Sequence, residues 1–219
     1  MRGKILLPLA ALSLLLAPSA PAQLGGLTAF KRPNIANIFH PVVGSGAAYQ
    51  QTNQQGKTTI EMSVVDKEMV GTQQGYWMEV GHAAEGSGTL TYGKMLVTPD
   101  DFAFHKIIVL VAGAPQPVEM DLDEQKAHHP EIKQNLDKWH SVGTESVTVP
   151  AGTFSCEHWT KDDGKGDAWV SSKISPMGLV KYVDGGDTMV LVRIISEAKT
   201  HITGTPVKFD PQMMMKQRM

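Results

Sequence analysis

The 219-residue sequence lacks several features that would assign it to a specialised class of protein. Its single cysteine, Cys156, cannot form an internal disulfide, so stability must come from a hydrophobic core. Aromatic residues make up only 6% of the chain, and the formal net charge is -2. With no basic excess, the chain has no overall field to attract nucleic acid or an anionic membrane surface. No apolar run reaches the roughly 20 residues of a membrane-spanning helix, which leaves a water-soluble globular protein.

The first 22 residues have the pattern of a secretory signal peptide. Arg2 and Lys4 provide the positive start, and an apolar stretch runs from Ile5 to Leu16. Ala20-Pro21-Ala22 matches a small-x-small cleavage site, so we expect cleavage after Ala22. No cysteine lies near that site to accept a lipid. The sequence therefore predicts an exported protein, periplasmic or secreted, that is not lipid-anchored.

The remaining chain divides into three segments. Residues 23–44 have no hydrophobic period and include Pro33 and Pro41, so we expect an irregular N-terminal arm. Residues 45–207 form one antiparallel β domain, because strand-like runs alternate with Gly, Pro, Asp and Asn at intervals of roughly 8 to 12 residues. Ile60, Met62 and Val64, for example, alternate with polar residues. Residues 208–219 form a Met-rich C-terminal tail.

Two apolar runs predict that the sheet is covered on both faces. Ile107 to Val111 is continuously apolar, and Thr188 to Ile195 is apolar on both sides. The covering element predicted here is a helix from Pro130 to about Trp139, because proline is favoured at a first helical position. Ile132, Leu136 and Trp139 form its apolar stripe. We therefore expect a mainly β (α+β) fold: a curved antiparallel sheet or half-barrel of about ten strands with one packed helix.

A resemblance to a known class comes from the stretch between Val142 and Val180. It reads VGTESVTVPAGTFSCEHW and then WVSSKISPMGLV. This stretch resembles uncharacterised exported bacterial proteins whose fold is similar to the lipoprotein-carrier and outer-membrane lipoprotein-receptor class. The resemblance implies a half-barrel closed by a helix, with an apolar concave face that receives lipid or acyl groups. It implies no individual binding residue.

Candidate metal ligands do not have the spacing of a known site. His128 and His129 are adjacent, and no H-E-x-x-H motif occurs. The loop from Asp162 to Asp167 carries three aspartates but lacks the pattern of an EF-hand loop, so it is interpreted as a hairpin tip. Met213, Met214 and Met215 are consecutive and cannot share one helix face, which disfavours a copper site. We predict neither a metal nor a cofactor.

Candidate catalytic groups are equally sparse. The chain has no G-x-S-x-G motif, and Cys156 lies within a predicted strand two residues before His158. A Cys-His pair is conceivable there, but a buried thiol in the core is expected instead. Asp121 and Asp123 precede the helical region and are interpreted as N-cap residues. We therefore expect that the protein is not an enzyme, with a hydrolase as a remote alternative.

The functional hypothesis is non-enzymatic binding of an apolar or lipid-like ligand on the concave face. Large apolar and aromatic side chains on a curved sheet can line such a cavity. The predicted ligand-binding residues are Tyr76, Met78, Ile107, Val109, Ile132, Leu136, Trp139 and Trp169. The alternative is a structural or assembly module of the cell envelope that docks a partner protein and has no small-molecule ligand. Neither hypothesis includes nucleic acid or a transmembrane segment.

The export prediction has a direct test in the mature N-terminus. N-terminal sequencing of protein recovered from the cell envelope or medium should begin at Gln23, because the signal peptidase recognises Ala20 and Ala22. Recovery of exported protein that retains Met1 would contradict the assignment of residues 1–22 as a cleaved signal.

Overall fold

Alternating apolar and polar residues organise the described part of the chain into one twelve-stranded sheet. A computed structural model describes residues 38–100, 102–110, 116–123 and 138–209. The strands of the first half are β1 (Gly46–Asn53), β2 (Gly56–Val70), β3 (Gln73–Ala84), β4 (Thr91–Val97), β5 (Phe104–Val109) and β6 (Val118–Asp121). Those of the second half are β7 (Trp139–Val149), β8 (Gly152–Lys161), β9 (Gly166–Val170), β10 (Leu179–Asp184), β11 (Asp187–Ile195) and β12 (Val207–Lys208).

The sheet consists of two antiparallel meanders joined at one place. Strands β1 to β6 are neighbours in chain order, as are β7 to β11. β1 pairs with β2 on one side and with β11 on the other, which joins the two meanders. β12 pairs with β6 in parallel. β12 and β7 are the two ends of the strand order, so the curved sheet is open rather than closed.

The predicted mainly antiparallel β architecture is confirmed, but the prediction of about ten strands with one packed helix is imprecise. β6 has four residues and β12 has two, which is too short for an alternating pattern to be visible in the sequence. Trp139, predicted to end a helix, instead opens β7 and pairs with Lys161. Pro130, Ile132 and Leu136 lie outside the described residues. Within the described ranges, only Leu122 and Asp123 are helical, and Asp121 caps them by accepting a hydrogen bond from the Asp123 N–H at 3.0 Å.

The main core lies on one face of the sheet, which we call the inner face. Tyr49 on β1 is fully buried, and its hydroxyl donates to the Leu179 carbonyl at 3.1 Å. Burial raises the pKa of this phenol. The core is rich in methionine, whose flexible thioether fills irregular space. Its buried methionines are Met62, Met78, Met95, Met177 and Met189.

A smaller core on the opposite, outer face explains the continuously apolar sequence of β5. Ile108 is buried there with Trp77, Leu96 and Ile202. Ile202 belongs to the segment between β11 and β12, so this C-terminal segment covers the outer face. The prediction that both faces of the sheet are covered between Ile107 and Val111 is thus confirmed at Ile108 and Val109, which are buried. The same prediction for the run ending at Ile195 is wrong, because Ile194 is 50% exposed.

A buried carboxylate attaches the C-terminal segment to the outer face. Glu79 is only 3% exposed, and one of its oxygens accepts a hydrogen bond from Thr200 Oγ1 at 2.6 Å. The backbone N–H of His201 donates to the same carboxylate at 2.9 Å, and His201 Nδ1 lies 2.7 Å from Glu79 Oε1. The His201 ring also stacks on Tyr92, with the centroids 3.9 Å apart. These contacts hold Ile202 over the outer core.

Glu79→Gln should lower the free energy of unfolding by about 2 kcal/mol, the usual contribution of hydrogen bonds to a charged group. In the variant, an amide NH₂ group replaces one carboxylate oxygen. This group cannot accept the hydrogen bonds that Thr200 Oγ1 and the His201 N–H donate to Glu79. Chemical denaturation monitored by circular dichroism measures the change. Glu85→Gln, at an exposed position just after β3, is the matched control and should have almost no effect. Equal stability of the two variants would contradict the role assigned to Glu79.

Candidate functional site

The candidate site is a cleft at the β7–β9 end of the sheet. Its volume is about 670 Å³. One wall comes from β7 and β8, and the other from residues 38–40 and 170–173. The apolar lining residues, all buried or half-buried, are Ile38, Cys156, Trp159 and Val170, and we call them the floor. The exposed ones, which we call the rim, are Thr144, Ser155, Glu157, Ser172 and Lys173. His40 and Ser171 complete the lining.

Local sequence explains how the second wall is built. After β9 the chain turns and returns at Gly178, whose N–H donates to the Ile174 carbonyl at 2.7 Å. Gly178 has a φ of +65°, and a Cβ there would lie 2.9 Å from Val170 Cγ1. The N–H of His40 donates to the Pro176 carbonyl at 2.6 Å. Glycine therefore permits the turn, and the turn fixes residues 38–40 beside it.

Trp159 contributes apolar surface to the floor. Its indole Nε1 is buried and has no hydrogen-bond partner, the one such side-chain atom found in the part of the chain that the structure describes. An unsatisfied buried donor costs about 1–3 kcal/mol, so packing must hold the ring in place. Because Nε1 is shielded, the part of the ring that borders the cleft is carbon.

Cys156 is buried, as the sequence predicts. Burial, together with the negative charge of Glu145, raises the pKa of its thiol to about 11. The group is therefore a neutral thiol at physiological pH and a weak nucleophile. Its position on β8 lies along the cleft, but the buried thiol offers no exposed surface there.

His158 does not form the conceivable pair with Cys156. Its Nδ1 lies 3.1 Å from Glu145 Oε1, and its Nε2 lies 2.9 Å from Asp167 Oδ1. Its ring stacks on Trp169, with the centroids 4.7 Å apart. The Asp167 carboxylate also accepts from Thr160 Oγ1 at 2.6 Å, and these two hydrogen bonds lower the pKa of Asp167. The imidazole thus joins β8 to β7 and β9.

Four of the predicted ligand-binding residues lie away from the cleft, in the first meander. Met78 and Val109 are buried, and Tyr76 and Ile107 are half-buried. Met95 on β4 pairs with Met78 on β3 and with Ile107 on β5. These three side chains therefore form one packed row on the inner face. None of the four lines the cleft.

Of the four remaining predicted residues, Trp139 and Trp169 are described, and neither lines the cleft. Ile132 and Leu136 lie outside the described residues. The Trp139 ring lies near Tyr182, with the centroids 6.1 Å apart. Trp169 lies on the opposite face of β9 from the buried Ala168, and its Nε1 donates to Glu145 at 2.5 Å. Lys181 Nζ lies 4.7 Å from the Trp169 ring centroid.

Sequence reasoning did not select the residues that line the cleft. Trp159 could have been found, because β8 alternates and places it on one face with Glu157 and Ser155. Ile38 and Lys173 have no such pattern, since they lie in irregular segments whose position depends on tertiary contacts. The sequence therefore contains a local indication for one wall only.

A hydrogen-bonded Thr-His-Asp series was also missed. Thr98 Oγ1 lies 2.9 Å from His105 Nε2, and His105 Nδ1 lies 2.7 Å from Asp123 Oδ2. The order resembles a nucleophile, base and acid. Thr98 is only 1% exposed, however, so no substrate can reach its hydroxyl. The series connects the end of β4 and β5 to the residues that follow β6.

The carboxylates of the Asp162–Asp167 loop bind separate partners. Asp162 Oδ1 lies 3.0 Å from His140 Nδ1, and Asp163 accepts from the Lys165 N–H at 3.0 Å. Across the described ranges, no group of three His, Cys, Asp or Glu side chains is placed to hold a metal ion. His128 and His129 lie outside those ranges. Among the described residues there is also no helix with the length and apolar character needed to cross a membrane.

Comparisons with known proteins give distant structural similarity. No family model and no curated protein matches the chain. A protein from Bacteroides fragilis with a YmcC-like fold, inferred to be exported, is similar at 16% identity and a TM-score of 0.41, over 73% of this chain and 99% of its own. An inferred lipoprotein from Parabacteroides distasonis has 15% identity and a TM-score of 0.37, over 74% and 99%. MucB has 10% identity and a TM-score of 0.40, over 85% of this chain and 62% of its own.

At these identities and TM-scores the similarity carries no argument about function. Two of the three proteins are inferred to be exported or to be lipoproteins, and none of the three is named as a lipoprotein carrier. The functional argument therefore depends on the geometry of the cleft.

The Cys156 environment predicts slow reaction with a thiol reagent. The folded protein should remain unlabelled at neutral pH, because the thiol is buried and its pKa is raised to about 11. Labelling should become complete in denaturant, which serves as the positive control. Rapid labelling of the native protein, or a disulfide-linked dimer on a non-reducing gel, would contradict the burial of this side chain.

Proposed function

We propose that the protein is an exported, non-enzymatic binding protein whose cleft holds a lipid-like ligand. The observation that carries the proposal is the amphipathic lining of the cleft. Ile38, Cys156, Trp159 and Val170 form an apolar floor, while the rim is polar and exposed. A volume of about 670 Å³ falls within the usual range of small-molecule sites, about 300–1,000 Å³. Export is supported by the signal-like residues 1–22.

Binding in this cleft would depend on burial of apolar area. Each Å² of apolar surface removed from water contributes roughly 25 cal/mol. The half-buried Trp159 and Val170 supply that surface, since Ile38 and Cys156 are already buried. The rim leaves the polar end of a ligand in contact with water. This location differs from the predicted one, because none of the predicted ligand-binding residues in the described ranges lines the cleft.

The absence of catalysis is part of the proposal. The Cys156 thiol is protonated, both nitrogens of His158 lie beside carboxylates, and the Thr98 hydroxyl is buried. None of these groups combines access to the cleft with an activating partner. Binding without chemistry is the function that this set of side chains supports.

A structural or assembly module of the cell envelope is the second candidate. The observation that favours it is the packing of the inner face, where Tyr49, Met62 and Leu191 are fully buried. A sheet filled in this way can serve as a scaffold without a ligand. The two candidates differ in whether the cleft binds a hydrophobic probe saturably.

The test compares two tryptophan variants in binding of a fluorescent fatty acid. Trp159→Ala should weaken binding at least about tenfold, equivalent to roughly 1.4 kcal/mol, because it removes the largest floor side chain. Trp169→Ala is the matched control, since Trp169 lies outside the cleft, and it should leave the dissociation constant unchanged. Circular dichroism must show that both variants are folded.

A second variant keeps the test decisive if Trp159→Ala does not fold. Ser155→Trp places a large side chain at an exposed rim position and should block the cleft without removing core contacts. Loss of probe binding in this variant supports the cleft as the site. If the wild-type protein shows no saturable binding, the ligand-binding proposal is wrong and the structural module becomes the better account.

A further inference from the structure

On the basis of the proposed function, we infer that the cleft holds a single hydrocarbon chain of an anionic amphiphile, with the carboxylate or phosphate head group beside Lys173. The inference specifies the ligand in two respects, chain number and head-group charge. Each follows from a different set of observations.

The limit of one chain follows from where the cleft ends. Its floor includes Trp159 and Val170, and its lining contains no residue of the first meander. Farther along the inner face, Tyr49, Met62 and Leu191 are fully buried by protein contacts. In the described part of the structure, the cleft therefore does not continue along the inner face, and a second hydrocarbon chain would have no space there. The volume of about 670 Å³ is that of a small-molecule site.

The head-group charge follows from the ionisable groups of the lining. Apart from the neutral Cys156 thiol, these are Lys173, His40 and Glu157. Lys173 is exposed and makes no ion pair with the described residues, in contrast to Lys161, which lies 3.6 Å from Asp184. An ammonium without a carboxylate partner at the mouth of a cleft attracts an anion.

Lys173 and His40 are on the same wall. His40 is attached to the 171–178 turn through its hydrogen bond to Pro176, and Lys173 belongs to that turn. Glu157 is on β8, in the other wall. An anionic head group is therefore favoured at the turn, where the exposed Ser172 hydroxyl can also donate to its oxygens.

The experiment uses four probes with the full-length folded protein and measures dissociation constants by isothermal titration calorimetry below the critical micelle concentrations. Palmitoyl-lysophosphatidylglycerol has one chain and a negative head group. Palmitoyl-lysophosphatidylcholine has the same chain and a zwitterionic head group. Dioctanoyl-phosphatidylglycerol carries the same number of acyl carbons in two chains. Glycerol phosphate tests the head group alone.

The single-chain anionic lipid should bind most tightly of the four. Lys173→Glu should weaken its binding about fivefold at low ionic strength, the size of one solvent-exposed ion pair. Binding of the zwitterionic lipid should stay the same. Lys165→Glu is the matched control, because Lys165 is an exposed lysine at the β8–β9 hairpin tip and does not line the cleft. It should leave binding of both lipids unchanged.

Four outcomes would overturn the inference in distinguishable ways. If the two-chain lipid binds as tightly as the single-chain lipid, the limit of one chain is wrong while the proposed function stands. If Lys173→Glu affects both lysolipids equally or neither, the head-group assignment is wrong. If glycerol phosphate binds as well as the lipid, the cleft holds the anionic group alone, and both the chain assignment and the proposed function are wrong. If the wild-type protein binds no lysolipid, the proposed function is wrong as well.

Discussion

The pairing of β1 with β11 is the constraint on which the rest of the structure depends. Each meander is local in the chain, and the sheet becomes continuous only where Gly46–Asn53 lies beside Asp187–Ile195. Tyr49 strengthens this junction by donating to the Leu179 carbonyl from a fully buried position. The same junction brings the residues before β1 next to the turn that precedes β10. The second wall of the cleft is therefore a consequence of joining the two halves.

The two faces of the sheet are covered by different means, and this difference determines where a ligand could enter. On the outer face, Glu79 holds the C-terminal segment in place, and Ile202 covers the core below it. On the inner face of the first meander, protein side chains such as Met62 and Met78 occupy the space themselves. The cleft remains at the β7–β9 end, where Trp159 and Val170 border open volume. An apolar ligand would thus extend the core at one edge instead of filling the centre of the sheet.

Most of the fold could be predicted from local sequence, whereas the candidate site could not. Alternation predicts strands such as β2, and the Asp162–Asp167 loop predicts the turn after Lys161. The assignment of Trp139 to a helix is wrong. It depends on spacings of four and three residues from Ile132 to Leu136 to Trp139, and such spacing does not distinguish the last turn of a helix from the first residue of a strand. The cleft depends on Ile38 and Lys173, which are brought together with β8 by contacts distant in sequence. Such contacts leave no periodic pattern in the chain.

The central claim is that the ligand occupies the cleft rather than the predicted region of the first meander. Backbone amide chemical shifts, measured by NMR during titration with a soluble single-chain amphiphile, locate the binding site directly. The account predicts saturable changes at Ser155, Trp159, Val170 and Lys173, and little change at Met78 and Ile107. Changes centred on Met78 and Ile107, or no saturable changes at all, would contradict it.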